Sequence, residues 1–135
     1  MPRILIVDDD HLVSATMKDI LERAGYNVTV TASGQDGLKI IEEDEIDVAV
    51  VDLFLPQMDG LETIRAFNKT RPELAIIAMS GFTFRDGITP APDFLDMTTK
   101  LGALRSLRKP FRGRELLAAV EACLPAAPPP VPPAS

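Results

Sequence analysis

Four short apolar runs rich in β-branched residues mark the first eighty positions: Arg3–Val7, Val28–Thr31, Val48–Val51 and Ala75–Met79. Each is bounded by polar residues or proline, as strands buried on both faces of a parallel sheet are. Between them, apolar residues recur at helical spacing. Val13, Met17, Ile20, Leu21 and Ala24 form one stripe that Gly25 is placed to stop, and Ser33 with Asp36 predicts an N-cap ahead of Leu38 and Ile41. Leu61, Ile64 and Phe67 form a third stripe. Leu116, Leu117, Val120, Cys123 and Leu124 form the last, after a weaker strand at Arg105–Arg108. Gly87, Pro90 and Pro92 forbid a helix early in the connection after the fourth strand, which leaves a short one at Phe94–Leu101. Alternation of this kind predicts an α/β fold, with helices on both faces of a parallel sheet.

Six of the twelve prolines fall between Pro125 and Pro133, where missing amide donors and fixed φ favour extended polyproline II. The expected organisation is one domain over residues 1–124 and a disordered tail or truncated linker over 125–135. With 46% hydrophobic and 25% charged residues in 135, the chain has enough apolar surface for a core without staples. A single cysteine, with no secretory signal or membrane-spanning run, makes the cytoplasm the default. A net charge of −6 disfavours direct nucleic-acid binding. Arg105, Arg108, Arg112 and Arg114 do cluster around Lys109, as a solvated edge or as an electropositive surface for an acidic partner.

In doubly wound sheets, ligands sit outside the carboxyl ends of the strands. Asp8, Asp9 and Asp10 end the first strand, Asp52 the third, Ser80 the fourth and Lys109-Pro110 the fifth. Carboxylates gathered at one end repel one another unless a hard cation fills the gap, and an all-oxygen set suits Mg²⁺, with Mn²⁺ able to substitute. A lysine and a hydroxyl beside them supply the positive charge and donor that a phosphoryl group needs. Asp10 reads as a helix-start acid, His11 as an exposed residue of the same turn, Asp59-Gly60 as a turn and helix start, and Cys123 as a buried small hydrophobe.

The segments ILIVDDD, VVDLFLPQMDG, AMSG and LRKPF, in this order, resemble the motifs of bacterial response regulator receiver domains over residues 3–124. That resemblance implies a flavodoxin-like, doubly wound (βα)5 three-layer sandwich of strand order 2-1-3-4-5. It implies that Asp52 is the phosphoacceptor, that Asp8, Asp9, Asp52 and the backbone carbonyl of Phe54 hold Mg²⁺, that Lys109 pairs with Asp52 and its phosphate, and that Ser80 is the switch hydroxyl. The Lys109-Pro110 bond is expected to be cis. Phe54 and Phe82 are placed to flank the hydrolytic water and set the lifetime of the phosphate. The implied partners are a sensor histidine kinase or histidine phosphotransfer protein and an unknown output protein, with the chain itself a monomer or weak homodimer.

Two departures stand out. Ser106 occupies the position where receivers usually carry an aromatic switch residue, and the Ser80-to-Lys109 connection is longer than usual. A phosphorylation-independent binding module on the same fold is therefore one alternative. A haloacid dehalogenase-like phosphatase, with Asp8 as nucleophile and Asp10 as acid/base, is a remoter one, because it leaves Asp52 unexplained.

Overall fold

The apolar runs pair side by side. In the computed structural model, which describes residues 2–53, 60–80, 105–108 and 111–124, they form β1 (Arg3–Val7), β2 (Asn27–Thr31), β3 (Val48–Asp52), β4 (Ala75–Ser80) and β5 (Arg105–Arg108). The intervening stripes form α1 (His11–Arg23), α2 (Gly34–Glu43), α3 (Gly60–Thr70) and α4 (Gly113–Cys123). All four strand pairings are parallel, in the order β2-β1-β3-β4-β5. This is the expected flavodoxin-like arrangement. The short helix expected at 94–101, the Pro110 bond and the tail 125–135 lie outside the described residues.

Strand side chains alternate between two cores, as the period of two requires. Leu5, Val7, Ala49, Val51, Ile76 and Ala78 pack with Ile41, Ile64 and Phe67 of α2 and α3. Ile4, Ile6, Val48, Val50, Ile77 and Met79 pack with Met17, Leu21, Leu116 and Val120 of α1 and α4. Because both faces are covered, the strands read as continuous apolar runs rather than as alternating ones. At roughly 25 cal/mol per Å² of apolar surface removed from water, this burial is the main force holding the strand ends in place.

Helix boundaries follow the polar punctuation. Gly25 takes φ +99°, a left-handed conformation that other residues adopt at a cost. Its N–H donates to Glu22 O at 3.0 Å and that of Tyr26 to Leu21 O at 3.1 Å, which closes the last turn of α1. At the start of α2, the Ser33 hydroxyl accepts from the Asp36 N–H at 3.1 Å, as the spacing predicts. Cys123 departs from expectation: it is half-buried rather than buried, because it lies in the last turn of α4, at the border of the core.

Tyr26, the sole tyrosine, is half-buried against the core under α1 and α4. Burial, and secondarily the Glu121 carboxylate, push its phenol above the ordinary 10.0. Both causes disfavour the charged phenolate. The native state therefore holds the proton to higher pH than the unfolded chain, and the stability this confers below the unfolded pKa is lost as pH rises through the native one. Near-ultraviolet titration should give a phenolate midpoint above that of the urea-unfolded chain, partly lowered by Glu121→Gln. Equal midpoints in the folded and unfolded chain would refute the assignment.

Candidate functional site

From β1 the chain winds outward to β2, and from β3 it winds the other way to β4 and β5, so the order reverses between β1 and β3. Outside the carboxyl ends of those two strands lies the crevice in which such sheets place their ligands. β1 leads to Asp8 and β3 ends in Asp52. Ladder bonds persist to that point: the Asp8 N–H donates to Thr31 O at 3.0 Å, and the Leu53 N–H to Met79 O at 2.9 Å. Asp8 continues the alternation of Ile4 and Ile6, and Asp52 that of Val48 and Val50, so both follow the row that packs under α1 and α4.

Asp8 is 1% exposed and Asp52 6%, whereas Asp9 is exposed. One carboxylate oxygen from each lies within 4.8 Å of the others, the one such acidic cluster among the described residues. Removing carboxylates from water and placing them together is costly without a compensating positive charge. The donors are all hard oxygens, and opposite ligands of an octahedral Mg²⁺ stand about 4.2 Å apart. Carboxylate oxygens this close would be able to share such an ion. The residues present fit Mg²⁺.

Asp10 takes no part in that cluster. Its carboxylate Oδ1 accepts from the N–H groups of Leu12 at 3.0 Å and Val13 at 3.1 Å, capping α1. Its own N–H donates to Asp8 Oδ1 at 2.9 Å, which fixes that carboxylate. The helix-start reading of Asp10 holds, and His11 is exposed as expected. An acid/base role for Asp10 would need its carboxylate at the crevice rather than on the helix amides.

The other sequence-predicted residues are placed unevenly. Ser80 ends β4 and Ser106 lies in β5, with their side chains outside the description; Arg108, the residue before Lys109, pairs with Ser80. Phe54, Phe82, Lys109 and Pro110 lie outside the described residues. Sequence reading took Gly60 as a turn and helix start, which it is, but it also shapes the site. Its N–H donates to Leu53 O at 3.1 Å, and a Cβ there would strike the Leu53 backbone and the Asp52 carbonyl oxygen. An Asp-Gly pair before a helix stripe signals the turn but not the close approach.

Two outcomes follow. Gly60→Ala must displace backbone rather than a flexible side chain, so urea denaturation should show a loss of about 1–3 kcal/mol, together with weaker Mg²⁺ binding. Asp10→Ala keeps the amide that holds Asp8 but loses the cap. It should cost about 1 kcal/mol and leave Mg²⁺ affinity, followed by calorimetry, nearly unchanged, whereas Asp9→Ala should weaken binding without the stability loss.

Comparison with known proteins agrees with this arrangement. The family model of the response regulator receiver domain matches residues 4–121. The chain is 37% identical over 122 residues to response regulator MprA of Mycolicibacterium vanbaalenii, covering 90% of this chain and 50% of that protein. It is 32% identical over 124 residues to transcriptional regulatory protein CpxR of Escherichia coli K12, covering 92% and 50%. The chain thus spans about half the length of these curated relatives. Among solved structures, a CheY-like receiver domain protein from Methanospirillum hungatei superposes with TM-score 0.79 at 32% identity, over 90% of this chain and 92% of that one. A receiver domain from Clostridium thermocellum gives TM-score 0.81 at 29% identity, over 91% and 94%. With a family match running from β1 into α4 and the acidic crevice at the sheet's switch point, the chain belongs to the response regulator receiver domain family of two-component signalling.

Proposed function

We propose that the chain accepts a phosphoryl group on Asp52 from the phosphohistidine of a sensor kinase or phosphotransfer protein, and that this event is the signal it passes on. The observation that carries the reading is the convergence of Asp8, Asp9 and Asp52 in one crevice, two of them buried. When bound by these three residues and the Phe54 carbonyl, Mg²⁺ neutralises charge on the phosphoryl oxygens. An Asp52 carboxylate oxygen forms the new bond to phosphorus while the bond from phosphorus to the donor imidazole nitrogen breaks, and the imidazole leaves with that electron pair. The attacking atom is a carboxylate oxygen, which carries no proton to be removed, so no general base is needed. Asp8 and Asp9 position the metal, and Lys109 supplies a fixed positive charge to the transferred group.

The resulting acyl phosphate draws the Ser80 hydroxyl toward it, biasing a two-state equilibrium of the following loop that a partner reads. With Ser106 in place of an aromatic, the second half of the usual switch falls to Phe82 or Phe84 of the longer connection. In-line attack of water on phosphorus returns Asp52 to its carboxylate, at a rate set by the bulk of Phe54 and Phe82. The family match runs to residue 121, and no helix among the described residues is long and apolar enough to cross a membrane.

Incubation with acetyl phosphate and Mg²⁺, read by intact mass, should give one labile phosphoryl adduct. Asp52→Asn should abolish it, and chelation or Asp8→Asn should slow it roughly tenfold or more. No adduct from acetyl phosphate or from any histidine donor would leave the phosphorylation-independent binding module as the better reading.

A further inference from the structure

The two helices on one face of the sheet meet through a close contact at their first turns. Gly34 opens α2 and Gly37 follows one turn later, while Thr63 and Phe67 stand one turn apart on α3. All four are buried. A Cβ at Gly34 would strike the Thr63 hydroxyl oxygen and lie 3.1 Å from the Thr63 Cβ and 3.2 Å from its Cγ2. One at Gly37 would lie 2.9 Å from Phe67 Cζ and 3.2 Å from Val7 Cγ2. Glycine inside a helix is unfavourable relative to alanine, so two within the first four residues of α2 stand against local propensity. The space they leave is filled by α3, whose side chains seat in the two notches.

Resting on the receiver reading, we propose that the contact of Gly34 with Thr63 is a latch that sets how closely α3 approaches the Asp52 end of β3, which makes Gly34 and Thr63 positioning residues for the site. Thr63 follows Gly60 by three residues, about 4.5 Å along the helix axis. Gly60 is the residue whose backbone rests on Leu53 and Asp52, and its N–H closes the 54–59 connection onto Leu53 O at 3.1 Å. A methyl group at position 34 could not be accommodated by swinging a long side chain aside, because Thr63 is short and β-branched, with few rotamers. In an interior this dense the helix itself moves, and Gly60 moves with it. Leu53 then loses the contact that holds it, and the Asp52 carboxylate loses its direction. The second notch ties the other strand of the site to the same contact, since Val7, which Gly37 approaches, immediately precedes Asp8.

The test compares wild type, Gly34→Ala, Thr63→Ala and Gly34→Ala/Thr63→Ala with Val120→Ala, which loosens the opposite core under α4, all as the full chain. Amide shifts and hydrogen exchange at Leu53 and Gly60 are read without metal, and Mg²⁺ affinity by calorimetry. Gly34→Ala should move both amides and weaken Mg²⁺ binding roughly tenfold, as loss of support for a ligand does. Thr63→Ala should speed exchange of the Gly60 N–H. In the double variant the new methyl occupies the space that Thr63 vacates, so amides and affinity should return to within about twofold of wild type. Val120→Ala should lower the urea midpoint and move neither readout. Unmoved Leu53 and Gly60 amides in Gly34→Ala, a double variant no closer to wild type than the single ones, or equal changes in Val120→Ala would overturn the latch. If Gly34→Ala does not fold, Thr63→Ala decides: Gly60 exchange no faster than in Val120→Ala overturns it. Acetyl phosphate labelling of wild type separates the latch from the receiver reading. Amides that respond in a chain that takes no phosphate count against phosphotransfer and leave the latch standing, whereas a labelled chain whose amides stay fixed refutes the latch alone.

Discussion

Mutual repulsion of three carboxylates in one crevice is the constraint around which this molecule is arranged. Asp8 and Asp52 are both nearly closed to water, and Asp9 reaches the same point from the surface. Left alone, such a group would separate or seek solvent. What prevents separation is that two of its members continue parallel strands whose neighbouring residues are sealed in the core. Moving Asp8 outward would pull Val7 from under α2 and α3 and break the bond from the Asp8 N–H to Thr31. The apolar energy of both cores thus opposes the electrostatic strain, and a divalent cation can relieve it. A site preorganised against its own charge is poised to bind the ligands that neutralise it.

Doubly wound topology explains why the strain sits where it does. Between β1 and β3 the chain leaves on opposite faces and toward opposite edges of the sheet, through α1 to β2 and through α3 to β4, which opens a crevice at their carboxyl ends. Asp52 gains its orientation from β3, which is buried along its whole length between β1 and β4. Gly60 then brings α3 back close enough that its backbone touches that of Leu53 and Asp52. The Asp52 carboxylate is thereby held by neighbours on either side and by the returning chain.

The sheet and its helices were legible because each signal was local. Continuous β-branched runs announced strands buried twice over, Gly25 announced the end of α1, and Ser33 the start of α2. The carboxylate cluster was legible one step further on, because parity along an extended strand determines which side a residue faces. What could not be read was distance across the fold. The closeness of Gly60 to the Asp52 carbonyl depends on how α3 returns to β3, and the partial exposure of Cys123 depends on where the core ends beneath α4. Neither is written in any run of neighbouring residues. The sequence marked Asp10 as the acid at the helix start, but not that its backbone N–H would hold the Asp8 carboxylate, which only the hydrogen bonds reveal.

That arrangement couples the site to the first helix through a single residue. The Asp10 N–H holds the Asp8 carboxylate while the Asp10 side chain holds the amides of Leu12 and Val13. A rotation of Asp8 toward a cation changes the acceptor that the Asp10 amide sees, and a change in that peptide plane changes the cap. Hydrogen bonds to charged acceptors are worth about 1.5–3 kcal/mol each, comparable with the few kcal/mol that separate conformations of a signalling domain. Occupancy of the crevice and order in the first turn of α1 are therefore linked thermodynamically.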